Sequence, residues 1–203
     1  MKNCIIYDFE TLSKDPETGV VLSMAIVGFD IDRFAANPYT FEDLIEGGEA
    51  SKGSKTFKFD VKEQVSVFGR KIQKDTLEWW SSQGEAAKAV LKPSSNDISI
   101  TLIEKLFTDY IGGRKLHRVF TRGNSFDPVF LSSLLKATGN KEPYSWWNLR
   151  DTRSFIEGLS FGADLNNDFI PPDFDERKFI KHDPAHDIAL DVLRIQYLVR
   201  ALG

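Results

Sequence analysis

Two apolar runs near the start of the chain constrain its fold more than any other feature. Residues 3–9 read Asn-Cys-Ile-Ile-Tyr-Asp-Phe, and residues 20–29 read Val-Val-Leu-Ser-Met-Ala-Ile-Val-Gly-Phe. Near-continuous apolarity in such short, β-forming segments marks strands covered on both faces. The link between them, Ser13-Lys14-Asp15-Pro16-Glu17-Thr18-Gly19, is turn material, which predicts a hairpin. Residues 55–61 alternate polar and apolar, as a more exposed strand does, and 46–54 is Gly- and Ser-rich and reads as the most flexible segment.

Helical signals dominate the remainder. Asp75 is placed to cap a helix reaching about residue 90, with Leu77, Trp80 and Ala87 inward. A second helix is expected from near Asp97 to Tyr110, closing at Gly112-Gly113, and a third from Pro128 to Thr138, closing at Gly139. Leu116 to Thr121 and Trp147 to Thr152 read as strands. The last helix is the best signed: Asp183 as N-cap, Pro184 at the first helical position, then Ile188, Val192, Ile195 and Val199 as an apolar stripe. Strands followed by helix-strand-helix alternation predict a mixed α/β fold, with helices packed on a central sheet. The 203 residues suit one domain spanning 1–203, since domains run to about 100–200 residues.

Charge and cysteine content narrow the chemistry. With 26 Lys plus Arg against 30 Asp plus Glu, the net charge of -4 argues against a domain held to nucleic acid by a general basic surface. It does not exclude an enzyme whose carboxylates are neutralised by divalent ions. Cys4 is the only cysteine, so neither an intramolecular disulfide nor a Cys-rich zinc site can form. The first apolar run is broken at Asp8, too early for a signal peptide or a membrane span, so a cytoplasmic location is expected, the host's if the chain is phage-encoded.

Three acidic clusters stand out. Asp8 and Glu10 lie two apart at the carboxyl end of the first strand, so their side chains share one side. Like charges together near a core are costly unless a cation lies between them. Carboxylate oxygens are the ligands that Mg²⁺ prefers, and the alternative is a solvated strand end. Asp127, before Pro128, falls where a strand hands over to a helix, the usual edge for ligand sites, and a plain helix cap is the alternative there. In His182-Asp183-Pro184-Ala185-His186-Asp187, His182 precedes the helix while Asp187 lies in its first turns. His186 is inside the helix and turned about 100° from Asp187, which makes it the less suited histidine. Asp191, one turn on from Asp187, reads as an ion-pair partner.

With those residues in place, the chain resembles the DnaQ-like superfamily of 3′-to-5′ exonucleases, in its DEDDh branch. Asp8-Phe9-Glu10 matches the first motif, Asn124 with Phe126-Asp127 the second, and His182-x4-Asp187 the third. The flanks Leu77-Glu78-Trp79-Trp80-Ser81, Trp147 to Arg153 and His182 to Gly203 are similar to the phage exonuclease A (DexA) type and its bacterial exoribonuclease relatives.

The resemblance implies a ribonuclease H-like fold with a central five-stranded mixed sheet whose second strand is antiparallel. It implies two Mg²⁺ or Mn²⁺ ions held by Asp8, Glu10, Asp127 and Asp187, with His182 as general base, and release of nucleoside 5′-monophosphates. Phe9, Thr11, Leu12, Asn124 and Phe126 are the expected nucleotide contacts, though a core role is open for Phe126. The expected substrate is a single strand with a free 3′ end, DNA ahead of RNA, and a homodimer is admitted. Trp79 and Trp80 cannot both face inward. One is left to stack on a base or to sit in a subunit interface. Arg122, Arg150 and Arg153 can meet phosphates or pair with nearby acids. A proofreading subunit and a non-catalytic binding module are the other readings, and no carboxylate is lost that would favour the latter.

Overall fold

The computed structural model describes residues 3–48, 51–161 and 165–202. Five strands, β1 (Asn3–Thr11), β2 (Val21–Asp30), β3 (Lys55–Lys58), β4 (Arg118–Thr121) and β5 (Leu149–Asp151), form one sheet ordered β3-β2-β1-β4-β5. The hairpin is central, as its apolarity predicts. β1 and β2 pair antiparallel, from Asn3 opposite Asp30 to Glu10 opposite Ser23, and the register slips between Glu10 and Thr11. β4 runs parallel to β1 and β5 parallel to β4. This is the ribonuclease H-like arrangement. Glu49 and Ala50 of the 46–54 stretch, and Gly203, lie outside the described residues.

Eight α-helices are described: α1 (Phe41–Ile45), α2 (Val61–Ser66), α3 (Lys74–Ser81), α4 (Glu85–Lys88), α5 (Ile103–Ile111), α6 (Asp127–Thr138), α7 (Thr152–Leu159) and α8 (Pro184–Leu202). The period-2 alternation of β1 divides the core. Cys4 and Ile6 pack with Ile188, Val192 and Ile195 of α8, whereas Ile5, Tyr7 and Phe9 pack with Ile103 and Phe107 of α5 and Phe130 and Leu134 of α6. Asp8 and Glu10 have the parity of Cys4 and Ile6. They therefore lie on the face that α8 covers. Burying each large apolar side chain here contributes about 1.5–3 kcal/mol.

Local departures from the sequence expectations have identifiable causes. The helix expected over 75–90 is two, α3 and α4, interrupted at Ser82–Gly84. Asp75 is not its cap: Gln73 precedes the helix, and Asp75 instead pairs with Lys14 at 2.8 Å. Thr76 and Trp80, four apart, form the inward row, fixed by the Trp80 indole N–H donating to the Thr11 carbonyl at 2.9 Å. Leu77 is thereby turned outward, 43% exposed. Helix α5 starts at Ile103 behind a 3-10 turn that Ser99 caps by accepting the Thr101 N–H at 3.1 Å, while Asp97 pairs with the Lys58 ammonium at 3.0 Å. Gly139 closes α6 in the left-handed region, φ 70°, where a glycine has no Cβ to clash. Helices α1, α2 and α7 were not anticipated. All three carried a signal: Thr40 and Asp43 form a capping box on α1, and the Asp60 and Asp151 side chains accept the Glu63 and Ser154 N–H groups at the starts of α2 and α7.

Candidate active site

The carboxyl ends of β1 and β4 and the amino ends of α6 and α8 meet at one edge of the sheet. At the start of α8, Asp183 Oδ1 accepts the N–H groups of Ala185 (2.9 Å) and His186 (3.3 Å), and Pro184 is the first helical residue. That cap fixes Asp187 in the first turn, facing β1. Ligand atoms of Glu10, His182 and Asp187 lie within 4.8 Å of one another. Asp127 is not a helix cap. It is 2% exposed, and its Oδ1 accepts the Phe9 N–H at 3.2 Å, tying the start of α6 to β1 between Asp8 and Glu10.

The four carboxylates share one electrostatic predicament. Burial holds Asp8 and Glu10 well above the usual carboxylate range, and their acidic neighbours push further: Asp127, Glu10 and Asp187 on Asp8, and Asp187 and Asp127 on Glu10. Asp127 is pushed up to about 7 by burial, opposed by the Phe9 N–H and by Arg153. Asp187 is also pushed up to about 7, by burial and then Asp191 and Asp183, against Arg122 and Arg194. Among the described residues, none of the four is ion-paired to a Lys or Arg. Ser23, opposite Glu10 across the hairpin, buries a hydroxyl without a partner. Unpaired carboxylate oxygens around an imidazole are a donor set suited to divalent cations, and the residues present fit such ions.

Asp191 behaves differently, as the sequence predicts. It is 1% exposed and accepts bonds from Arg122 (2.5 Å), Arg194 (2.8 Å) and the Thr152 hydroxyl (2.9 Å). This buried pairing locks α8 to the end of β4 and to α7. Arg122 also pairs with Asp168.

His182 occupies the left-handed backbone region, φ 64°, an uncommon conformation for a side-chain-bearing residue. Its ring meets the Trp79 ring edge-on at 4.7 Å. Burial, followed by the Lys181 charge, lowers its pKa and favours the neutral imidazole. His186 is no plain helix-surface residue. Its Nδ1 accepts the Ile180 N–H at 3.1 Å, and its ring packs on Phe41 at 5.1 Å, so it holds the segment that leads into His182. The sequence carried no signal for that bond.

The expected nucleotide contacts fall into two groups. The Phe9 and Leu12 side chains are buried in the core, 4% exposed each, and Thr11 bonds the Ser13 carbonyl. Phe126 is partly buried against Phe130 at 4.8 Å. Asn124 is exposed at the site edge, its N–H donating to Asp151 at 3.2 Å. Of the adjacent tryptophans, Trp80 is fully buried and Trp79 is 41% exposed.

A family model described as the 3′-5′ exoribonuclease Rv2179c-like domain matches residues 3–187. The chain belongs to this family. The exodeoxyribonuclease of Enterobacteria phage T4 is 32% identical over 216 residues, covering 98% of this chain and 90% of that protein. Among solved structures, E. coli exonuclease I in complex with a dA16 oligonucleotide superposes with a TM-score of 0.62 at 13% identity, over 98% of this chain and 41% of that one. The zinc-bound form of the E. coli exonuclease I complex with single-stranded DNA gives 0.60 at 14% identity, over 99% and 41%. At those identities the likeness is one of fold, and the chain spans about two fifths of exonuclease I. The DEDDh resemblance and the Rv2179c-like family agree. No helix among the described residues is long and apolar enough to cross a membrane.

Proposed function

We propose that this Rv2179c-like chain, working as one nuclease unit over 1–203, is a metal-dependent 3′-to-5′ exonuclease. It removes nucleoside 5′-monophosphates from single-stranded DNA. The observation that carries the reading is the convergence of Glu10, Asp187 and His182 within 4.8 Å, beside Asp8 and Asp127. The 32% identity to a phage exodeoxyribonuclease over 98% of the chain supports DNA as the substrate. The exoribonuclease description of the matching family supports RNA as the second reading.

Asp8, Glu10, Asp127 and Asp187 would hold two Mg²⁺ or Mn²⁺ ions. Bound there, divalent ions supply Lewis acidity for water and charge compensation for the phosphate. The residues of the chain do the rest. The neutral His182 imidazole, favoured by its lowered pKa, takes a proton from the attacking water as its oxygen bonds to phosphorus. The P–O bond to the 3′ oxygen of the preceding nucleotide breaks, and that oxygen leaves as a hydroxyl after protonation. Asp127 keeps β1 and α6 in register through the Phe9 N–H, holding the metal ligands in place. The backbone around Phe9, Thr11 and Leu12, with Asn124 and the edge of Phe126, takes the terminal nucleotide. A cytoplasmic enzyme, able to pair as a homodimer, is consistent with this role.

Matched DNA and RNA oligomers, digested side by side with Mg²⁺, Mn²⁺ or chelator, test the proposal. Mononucleotides should appear from the 3′ end only with metal, and DNA should be cut faster. A 3′-phosphorylated strand should be cut much more slowly, because the added dianion meets Glu10 and its neighbours. Rapid cutting of a circular single strand would refute the exonuclease reading. Faster cutting of RNA would replace the DNA assignment with the second reading.

A further inference from the structure

Deepening the exonuclease reading, on which the inference rests, we propose that Arg153 binds an internal phosphate of the substrate strand, on the 5′ side of the scissile linkage. Divalent ions held by the four carboxylates would compensate only the scissile phosphate, so the upstream phosphates of a polyanionic strand call for a cation at the rim of the site. Four arginines lie around that edge. Arg122 is bonded to Asp191 and Asp168, and Arg194 to Asp191 and to the Phe169 and Asp168 carbonyls. Arg150 donates to the Trp147 and Leu149 carbonyls. Arg153 alone of the four has no hydrogen-bond or ion-pair partner among the described residues, and it is exposed.

Its location is set by the fold. Arg153 is the second residue of α7, immediately after β5, and its guanidinium lies over the turn that joins β4 to α6. A Cβ at Gly123 would stand 3.2 Å from its Nη1. Gly123 has φ 126°, a backbone region that side-chain-bearing residues rarely adopt. This turn can therefore bring its backbone under the guanidinium only with glycine. Four residues on, the same segment delivers Asp127, whose carboxyl feels the Arg153 charge. A planar fork of donors left open beside the metal ligands suits a phosphate. Arg153 lies on the β5 flank, across the sheet from Leu12 and Trp80 on the β2 flank. A strand whose terminal nucleotide sits at the end of β1 would pass it with an upstream phosphate.

A phosphate-neutralisation cycle tests the assignment. Wild type, R153A and R153K are assayed on a single-stranded DNA oligomer and on versions with one neutral methylphosphonate at the first, second or third linkage 5′ of the scissile one. R153A should lower kcat/KM about tenfold, the size of a lost charge-assisted hydrogen bond, chiefly through KM, and R153K should recover part of it. At one linkage the neutral substitution should slow wild type but leave R153A unaffected. The salt slope of binding in R153A should fall by about one contact. Unchanged kcat/KM in R153A overturns the proposal, as does a loss that adds independently to every methylphosphonate. An inactive wild type would instead remove the exonuclease reading, so the two failures are distinguishable. The exposed Arg153 side chain has no hydrogen-bond or ion-pair partner among the described residues, so R153A should melt as wild type does.

Discussion

Asp127 and the two histidines define what single residues contribute. Asp127→Asn keeps a carbonyl-type Oδ1 able to accept the Phe9 N–H while deleting one charge from a repelling cluster. It should abolish hydrolysis and leave the melting temperature in chelator equal to or above wild type. A large drop in melting temperature would show that the charge, not the bond, matters to the fold. His182→Ala should cost about 10²–10⁴ in rate, the usual value of a positioned general base, and retain metal binding by calorimetry. Because the His182 pKa is lowered, the acidic limb of wild-type activity should lie below the ordinary value of about 6.5. It should flatten in H182A. His186→Ala removes the acceptor for the Ile180 N–H, so it should slow the reaction less than H182A does. His186→Asn, which restores an acceptor, should recover more activity than H186A. Equal rates for the two variants would dismiss that bond.

At the scale of elements, α8 places two carboxylates one turn apart in opposite roles. Asp187 faces other acids without an ion pair among the described residues, whereas Asp191 is held by Arg122, Arg194 and Thr152. Removing one member of a buried charge network leaves its partners uncompensated, at about 3–5 kcal/mol. Asp191→Ala should therefore lose stability on that order in a urea melt, while Asp187→Asn should lose little or gain in chelator. The contrast checks the assignment directly. If both variants were equally destabilised, Asp187 would be a structural residue.

The whole molecule should show the cluster in its pH-dependent stability. Asp127 and Asp187 have folded-state pKa values of about 7, against about 3.9 for an aspartate in an unfolded chain. Between those values the folded protein holds protons that the unfolded chain has released. Its stability therefore falls as pH rises through the window. In chelator, the protein should melt higher near pH 5.5 than near pH 8. Divalent metal should raise the melting temperature most at the higher pH, because it replaces the protons as the neutralising charge. A metal-free stability that rises with pH over this range would show that burial does not hold the Asp127 and Asp187 carboxyls above their ordinary range.

The sequence by itself determined what depends on local pattern. Continuous apolarity in 3–9 and 20–29 made a central hairpin, and parity placed Asp8 and Glu10 on one side. Asp183-Pro184 fixed the start of α8 and so the setting of His182 and Asp187. The order of the acidic motifs was legible because each sits at an element boundary with its own turn or cap chemistry. Only the tertiary structure decided which competing partner each polar group takes. Asp75 and Asp97 look like caps but are claimed by Lys14 and Lys58, residues distant in sequence. Leu77 is turned out because the Trp80 indole finds the Thr11 carbonyl, and Arg150 and Arg153 part ways because backbone carbonyls lie within reach of only one. The His186 bond to Ile180 exists because the loop folds back on its own helix. Such choices turn on distances between segments far apart along the chain or meeting only in a folded loop, and no local periodicity encodes them.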